Sequence, residues 1–312
     1  MTARVVFFGT PEFAVPPLAA LVAAGFPVPL VVTQPDRPVG RRAAPRPSAV
    51  GEWAAARELP IEKPERLRGN AALRETLAAA RPDAIAVVAY GRIFPPELLS
   101  LPPLGCVNVH ASLLPRHRGA SPVQAAILAG DRETGASTMR MDEGLDTGPV
   151  YLERRVAIGE RETAGELSAR LAAIGGELLV ETLRGLEAGT LAPRPQAGEP
   201  TFCRPIRRED AAADWTRSAG ELSRRLRAFT PWPGLYTFLD GERVKILSAR
   251  PAERSGEGES GDLRLEGGEL VAEAGGRTAL VLERVQRAGR NPVGGAEFAR
   301  SIRMPARFQA AP

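Results

Sequence analysis

A chain of 312 residues, 44% hydrophobic and 25% charged, has the length for two domains and the balance of a globular protein. It has no run of about 18 apolar residues, which excludes a hydrophobic membrane-spanning helix, and Cys106 and Cys203 stand too far apart to suggest a disulfide framework or a metal site. The net charge of +4 leans only mildly toward a polyanionic partner, because Lys63 and Lys245 are the only lysines and the arginine excess reads as compositional bias.

The opening Met-Thr-Ala-Arg runs into an apolar stretch without a cleavable signal pattern, so the expected compartment is the cytoplasm. Residues 4–9 read as a strand, and Thr10-Pro11-Glu12 as the start of a helix that Gly25 stops. A strand, a glycine turn and a helix suit a nucleotide-binding unit. Gly-x-Gly-x-x-Gly is missing, however, so the expectation is a doubly wound fold without a dinucleotide cradle. Residues 28–33 are a second predicted strand. The loop after it holds Pro35, Pro38, Pro45 and Pro47, which forbid a regular helix, and Arg37, Arg41, Arg42 and Arg46 face only Asp36 in charge. It reads equally as a solvated surface loop or as one that contacts phosphate, since guanidinium forks suit phosphate oxygens.

Helices are expected over 51–58 and 70–79, and a buried strand over 83–90 that ends at Tyr90-Gly91. Residues 105–110 alternate as a short strand, with Val107 and Val109 toward a core and Asn108 and His110 on the opposite face. A helix over 122–129, an extended segment over 136–141 and a carboxylate-rich loop over 142–148 follow. A strand over 150–158 leads to a long helix over 163–186, where Gly175-Gly176 suggests a bend. This alternation predicts an α/β fold with a Rossmann-like, mostly parallel, doubly wound sheet over residues 1–189. Pro193, Pro195, Gly198, Pro200 and Pro205 mark a linker over 190–208. Residues 209–312 then read as a small C-terminal β-barrel, OB-like in its short strands and its turns at Asp240-Gly241, Gly267-Gly268 and Gly275-Gly276. Within it lie a basic helix over 218–229 with Arg224, Arg225 and Arg227, and a Gly/Ser/Glu stretch at 255–261 expected to be mobile.

Asn108, His110 and Asp146 are the candidate catalytic residues. Leu-Asp-Thr-Gly at 145–148 also occurs in aspartic-protease turns, but that chemistry needs a second copy and a β-rich frame, and neither is present. A Ser112–His110–Asp146 hydrolase lacks the Gly-x-Ser-x-Gly elbow. A metal centre is not expected, because His110 and His117 are the only histidines and the cysteines are dispersed. Transfer of a carbonyl-containing group to an amine suits the set better. Amine attack on a formamide carbonyl makes an oxyanion, which Asn108 and His110 can stabilise as two donors. Asp146 can hold His110 in its cationic or correctly tautomeric form, or relay the proton.

The residues carry a resemblance. Phe-Gly-Thr-Pro-Glu-Phe-Ala at 8–14, Thr-Gln-Pro-Asp-Arg-Pro-x-Gly-Arg at 33–41, Val-Val-Ala-Tyr-Gly at 87–91, Asn-Val-His-x-Ser-Leu-Leu-Pro-Arg-x-Arg-Gly at 108–119 and Met-Asp-x-Gly-Leu-Asp-Thr-Gly at 141–148 resemble the methionyl-tRNA formyltransferases. Phe-Thr-Pro-Trp-Pro at 229–233 points the same way, and the likeness runs over residues 4–233, more loosely to the end. The Asn, His-x-Ser-Leu-Leu-Pro and Asp elements belong to the wider family that uses 10-formyltetrahydrofolate.

The resemblance implies formyl transfer from 10-formyltetrahydrofolate to the α-amine of initiator methionyl-tRNA in translation initiation, with no metal, no membrane and no obligate protein partner. It assigns Asn108, His110 and Asp146 as the catalytic trio. Ser112, Leu113, Leu114 and Pro115 would hold the folate, and Val88, Tyr90, Gly91, Asp142 and Leu145 would complete its pocket. Contacts to tRNA fall to Arg37, Arg41, Arg42 and Arg46, to Arg204, Arg207 and Arg208, and to Arg224, Arg225 and Arg227. The sequence departs from the family pattern at Ala111, where glycine is common, at His117, where an aromatic is frequent, and at Arg42-Ala43-Ala44, where lysines are usual. Two other functions compete: formylation of an amino sugar-nucleotide, glycinamide ribonucleotide or another small amine, and a catalytically dead RNA-binding protein, against which the intact trio argues.

Overall fold

The computed structural model describes residues 2–38, 45–253 and 256–309. In chain order the first half forms β1 (Val5–Gly9), α1 (Val15–Ala23), β2 (Val31–Val32), β3 (Arg37–Pro38), β4 (Pro45–Arg46), α2 (Ala49–Ala55), β5 (Ile61–Glu62), α3 (Ala71–Ala80), β6 (Ala84–Val88), α4 (Pro96–Leu99) and β7 (Cys106–His110). There follow β8 (Arg118–Gly119), α5 (Pro122–Ala129), β9 (Glu133–Arg140), β10 (Val150–Ala157), α6 (Ala164–Glu187) and β11 (Phe202–Cys203). Seven strands make one sheet in the order β10-β9-β7-β6-β1-β2-β5. The pairs β2–β5, β1–β2, β1–β6 and β6–β7 are parallel, while β9 and β10 join antiparallel at one edge. This is the expected Rossmann-like sheet.

Both faces of the sheet are covered, because alternate residues of each strand feed different cores. Val5, Phe7, Ala86, Val88, Val107 and Val109 pack with Leu18 and Leu21 of α1 and Leu179 and Leu183 of α6. Val6, Phe8, Ile85, Val87 and Cys106 pack on the other side with Leu73 and Leu77 of α3. The parity of β7 therefore puts Asn108 and His110 on the face opposite Val107 and Val109.

Several local expectations are corrected. A 3₁₀ turn, Glu12–Ala14, precedes α1, which begins at Val15 rather than near Pro11, with Pro16 and Pro17 in its first turn. Only Val31–Val32 of the stretch 28–33 is a strand, since Pro27 and Pro29 have no N–H to give the ladder. The loop at 34–48 holds no helix among its described residues, as its prolines require, and it adds a short pairing of β3 with β4 through Arg37↔Arg46 and Pro38↔Pro45. Asp36 does not serve the arginines; it pairs with Lys63 at 2.6 Å, and Arg37 donates to Gln34 Oε1. Arg41 and Arg42 lie outside the described residues.

Helix α6 runs unbroken through Gly175-Gly176. The pair serves close packing instead of a bend: a Cβ on Gly175 would stand 2.6 Å from Val109 Cγ1, and one on Gly176 3.1 Å from Ala20 Cβ. Bare helix surface thus lets α6 approach β7 and α1.

After α7 (Ala219–Ala228) come β12 (Tyr236–Leu239), β13 (Glu242–Pro251), β14 (Asp262–Glu266), β15 (Glu269–Ala274), β16 (Thr278–Arg287), β17 (Val293–Gly294), α8 (Gly295–Arg300) and β18 (Ala306–Arg307). The strand order β12-β13-β16-β15-β14-β18 is antiparallel throughout, and Phe238 and Gln309 exchange backbone hydrogen bonds across the remaining gap. The result is a nearly closed, OB-like barrel. Its tight turns carry positive φ at Asp240 (51°) and Gly241 (76°), and at Gly267 (55°) and Gly268 (83°), as the primed hairpin turns require. Trp215 closes one part of the interior, stacked on Phe308 with Nε1 donating to Thr237 Oγ1 at 2.9 Å. Residues 256–261 are more firmly held than the composition suggests: Gly256 N–H donates to Arg277 O, Gly261 N–H to Glu273 O and Glu257 N–H to the Glu273 carboxylate.

By contacts, the chain forms two units. The first holds residues 1–122, 133–157 and 168–204; the second holds 123–132, 158–167 and 205–312. Residues 190–204, expected as linker, thus belong to the first unit: Arg194 pairs with Val150 through both backbone bonds, and β11 adds to β8. Among the described residues no helix is long and apolar enough to cross a membrane.

Candidate active site

The chain runs from β1 outward to β2 and β5, then returns to β6 and β7 on the other side of β1. The switch lies between β1 and β6, and open α/β sheets take ligands beyond the carboxyl ends of strands at such a point. Gly9, Val88 and His110 are those carboxyl ends. Three non-glycine residues in the segments just beyond hold left-handed backbone: Ala89 (φ 46°), His117 (φ 56°) and Asp146 (φ 53°). Such conformations cost about 1–3 kcal/mol each and persist only where the surroundings fix them.

His110 is buried and held at one ring nitrogen. Its Nε2 lies 3.0 Å from the His117 carbonyl oxygen. A carbonyl only accepts, so Nε2 carries a proton and Nδ1 is the nitrogen left to gain or lose one. Nδ1 faces Asp146 Oδ2 at 3.7 Å, too far for a direct hydrogen bond and suited to a bridging atom. The same Oδ2 accepts the Gly119 N–H at 2.8 Å. Asn108, half-buried beside His110 in β7, has no side-chain partner among the described residues. An open amide, an imidazole and a carboxylate are therefore gathered at one end of the sheet.

Supports for this cluster come from stretches with no sequence signal of their own. The His117 N–H donates to Thr201 Oγ1 at 2.8 Å, which helps set the carbonyl that His110 uses. Gln196 donates from Nε2 to the carbonyls of Asp146 (2.8 Å) and Gly148 (2.7 Å), and its Oε1 accepts from the Arg118 guanidinium. Thr201 and Gln196 sit among prolines and glycines, with no periodicity to draw attention to them.

The Ser112 hydroxyl is wholly buried and donates to Arg116 O at 2.5 Å, so the geometry gives no hydrolase triad. Ser137 Oγ donates to Ser112 O and takes the Leu114 N–H, which ties the turn to β9. Leu114 packs with Met139 and Val150, Leu113 lies over Gly135, and Pro115 is buried. The segment 112–115 is thus a fixed wall. The Val88 side chain lies in the core, as does Tyr90, whose ring meets Phe8 and Phe94 edge-on. Burial pushes the Tyr90 hydroxyl pKa up, against a smaller lowering by Arg92, and its carbonyl accepts from Gln34 Nε2 at 2.6 Å. Gly91 follows with φ 78°. In the loop at 142–148, Asp142 Oδ1 takes Gly144 N–H and Thr147 Oγ1–H, while Leu145 is 60% exposed.

The candidate arginines differ in availability. Arg37, Arg46, Arg204, Arg207 and Arg208 are exposed. Arg224, Arg225 and Arg227 on α7 are half-buried, and two of them reach inward within their own unit. Arg225 donates to Asp210 O, and Arg227 to the carbonyls of Gly159 and Glu162. Desolvation lowers both guanidinium pKa values from their ordinary range. Among the described residues no group of three or more His, Cys, Asp or Glu side chains is placed to hold a metal ion.

Comparison with known proteins gives a consistent picture. The formyl transferase family model matches residues 3–183, and the formyl transferase C-terminal domain model matches 205–303. A methionyl-tRNA formyltransferase of Anaeromyxobacter dehalogenans (strain 2CP-1 / ATCC BAA-258) is 49% identical over 304 residues, covering 96% of this chain and 97% of its own. Another, of Aromatoleum aromaticum, is 45% identical over 99% of this chain and 98% of its own. Among solved structures, the N-formyltransferase from Helicobacter canadensis, in complex with folinic acid and dTDP-3-aminofucose, has a TM-score of 0.65 at 16% identity, covering 92% of this chain and all of that one (100%). HypX from Aquifex aeolicus in complex with tetrahydrofolic acid has a TM-score of 0.62 at 17% identity, covering 96% of this chain and 47% of that one. These two structural likenesses speak to the fold.

Proposed function

This chain belongs to the formyl transferase family, and from that premise we propose that it moves a formyl group from 10-formyltetrahydrofolate to the α-amine of initiator methionyl-tRNA. The whole-length identity to methionyl-tRNA formyltransferases supports the acceptor. The observation that carries the chemistry is His110, with Nε2 committed to a carbonyl and Nδ1 turned toward a carboxylate beside a free amide.

The substrate amine, with a reference pKa near 8, needs placement more than a strong base. Its nitrogen attacks the formyl carbon, a new N–C bond forms, and the carbonyl oxygen takes the negative charge. The Asn108 amide donates to that oxyanion. His110 enters through Nδ1 alone: it accepts the proton shed by the attacking nitrogen and returns it to the folate nitrogen as the old C–N bond breaks. Tetrahydrofolate leaves and formylmethionyl-tRNA remains. Asp146 balances the imidazolium between these transfers. His110 as a second oxyanion donor, which the sequence suggests, is compatible only with the form protonated at Nδ1.

The reading assigns residues 1–189 to catalysis together with 190–204, which fold into the same unit, and 209–312 to tRNA contact in a cytoplasmic enzyme. The wall at 112–115, the backbone at 88–91, and Asp142 and Leu145 line the folate side, where Val88, Tyr90 and Ser112 contribute backbone rather than side chain. The loop arginines Arg37, Arg41, Arg42 and Arg46, with Arg204, Arg207 and Arg208, meet phosphates; Arg224 joins them, and Arg225 and Arg227 do so with what their internal bonds leave free. The test is direct competition: the full chain, 10-formyltetrahydrofolate, and equal amounts of charged initiator tRNA and a dTDP-amino sugar. Formyl appears on the methionine; label on the sugar alone overturns the proposal.

A further inference from the structure

The geometry points to Gln196 as a positioning residue that sets Asp146 against His110, an inference that rests on the formyl-transfer reading above. The loop at 142–148 needs an external hold. Asp146 sits at φ 53°, Leu145 is exposed, and the carboxylate of Asp142 serves the front of its own loop. Gln196 supplies the hold at the back. The two hydrogens of its amide nitrogen go to the carbonyls of Asp146 and Gly148, one of them on the very residue whose carboxylate faces His110.

The amide also has a fixed orientation. Arg118 Nε and one terminal guanidinium nitrogen donate to Gln196 Oε1 at 3.1 and 2.7 Å. A flip would set the amide N–H groups against a cation and its oxygen against two carbonyls, so one orientation satisfies every group. Arg118 is next to Gly119, whose N–H holds the Asp146 carboxylate. One side of Asp146 is thus fixed by Gly119 and the other by Gln196, and both supports meet at the segment 118–119. Only an amide does this: Glu would keep the contact to Arg118 and lose both donors, and an apolar side chain would lose all of it. Gln196 touches Asp146 through its backbone, so its effect on the reaction passes through Asp146.

The experiment uses the full chain and compares Gln196→Met, Gln196→Glu, Asp146→Asn and the double variant Asp146→Asn/Gln196→Met in formyl transfer to charged initiator tRNA. Misplacing a catalytic group by about 1 Å costs on the order of 10²-fold. Gln196→Met should therefore lower kcat by about tenfold or more, with the folate KM within about twofold of wild type. Gln196→Glu should do no better, and it carries the test should the Met variant fail to fold. In the Asp146→Asn background Gln196→Met should add less than about twofold, since a residue acting through Asp146 has nothing left to position. A second readout needs no turnover. The protein has two histidines, so the ring ¹⁵N signals of His110 can be followed by NMR. In both Gln196 variants they should shift in the same direction as in Asp146→Asn. Wild-type kcat in Gln196→Met, losses that multiply in the double variant, or unmoved His110 signals would each overturn the inference. Failure of the wild type to formylate tRNA would instead remove the functional reading, and the His110 signals would still decide the placement.

Discussion

Gly119 offers a prediction in which stability and chemistry can be separated. Its φ is +115°, a region that residues with a Cβ rarely enter, and an added Cβ would fall 2.2 Å from the Cys203 carbonyl oxygen. That carbonyl accepts the Ala120 N–H at 3.1 Å in the β8–β11 pairing, so it cannot withdraw freely. Strained backbone costs about 1–3 kcal/mol and overpacking about 1–3 kcal/mol, so Gly119→Ala should destabilise the chain by about 2–6 kcal/mol. Gly189 is the control, with φ +66° and nothing within 4 Å of its Cβ position. There only the left-handed penalty of about 1–2 kcal/mol applies. Urea titrations followed by circular dichroism give both values from the midpoints at common slope. Under native conditions Gly119→Ala should also lower kcat, because the Gly119 N–H holds Asp146 Oδ2, whereas Gly189→Ala should not. Equal stability losses in the two variants would mean that residues 118–119 and 202–203 do not pair this closely.

Other expectations follow from single contacts. Burial pushes the Cys106 thiol up to about 12, so it carries almost no thiolate at pH 8; iodoacetamide should modify it only after unfolding, as mass spectrometry can show. Gly175→Ala should destabilise the chain because its Cβ meets Val109 Cγ1 at 2.6 Å, and the loss should shrink in a Val109→Ala background; an unchanged loss would deny that contact. Replacing Arg41 and Arg42 by Ala should raise the tRNA KM and flatten its salt dependence while leaving the folate KM alone. Lost tRNA activity with an unchanged salt slope would instead assign those arginines to folding of the loop.

What could be read from sequence follows from what leaves a short-range mark. Period-two alternation separates Val107 and Val109 from Asn108 and His110, because facing is a property of consecutive residues. The hairpins at Asp240-Gly241 and Gly267-Gly268 are legible because φ above zero demands particular residues locally. The supports of the site leave no such mark. Gln196 reaches Asp146 across 50 residues and Thr201 reaches His117 across 84, so in sequence they are polar residues in a proline-rich stretch that reads as linker. Gly175 and Gly176 look like a helix break, because the β7 and α1 surfaces that need the missing side chains lie far away in the chain. Arg225 and Arg227 look like a basic face, and only the fold reveals that their guanidiniums bond to backbone carbonyls. The second unit recruits residues 123–132 and 158–167 from within the span of the first, which no contiguous reading of domains can anticipate.

The central claim is that Asn108, His110 and Asp146 act on the formyl transfer itself. Single-turnover transfer of labelled formyl, with Kd for 10-formyltetrahydrofolate measured separately, tests it most directly in Asn108→Ala, His110→Ala and Asp146→Asn. The account predicts that Asn108→Ala and His110→Ala each slow the chemical step by about 10²–10³-fold. Asp146→Asn should be at least as damaging, and Kd should change far less than the rate in all three, because the lost interactions belong to the transition state. Near-normal rates with a weakened Kd would make the three residues a binding device and contradict the account.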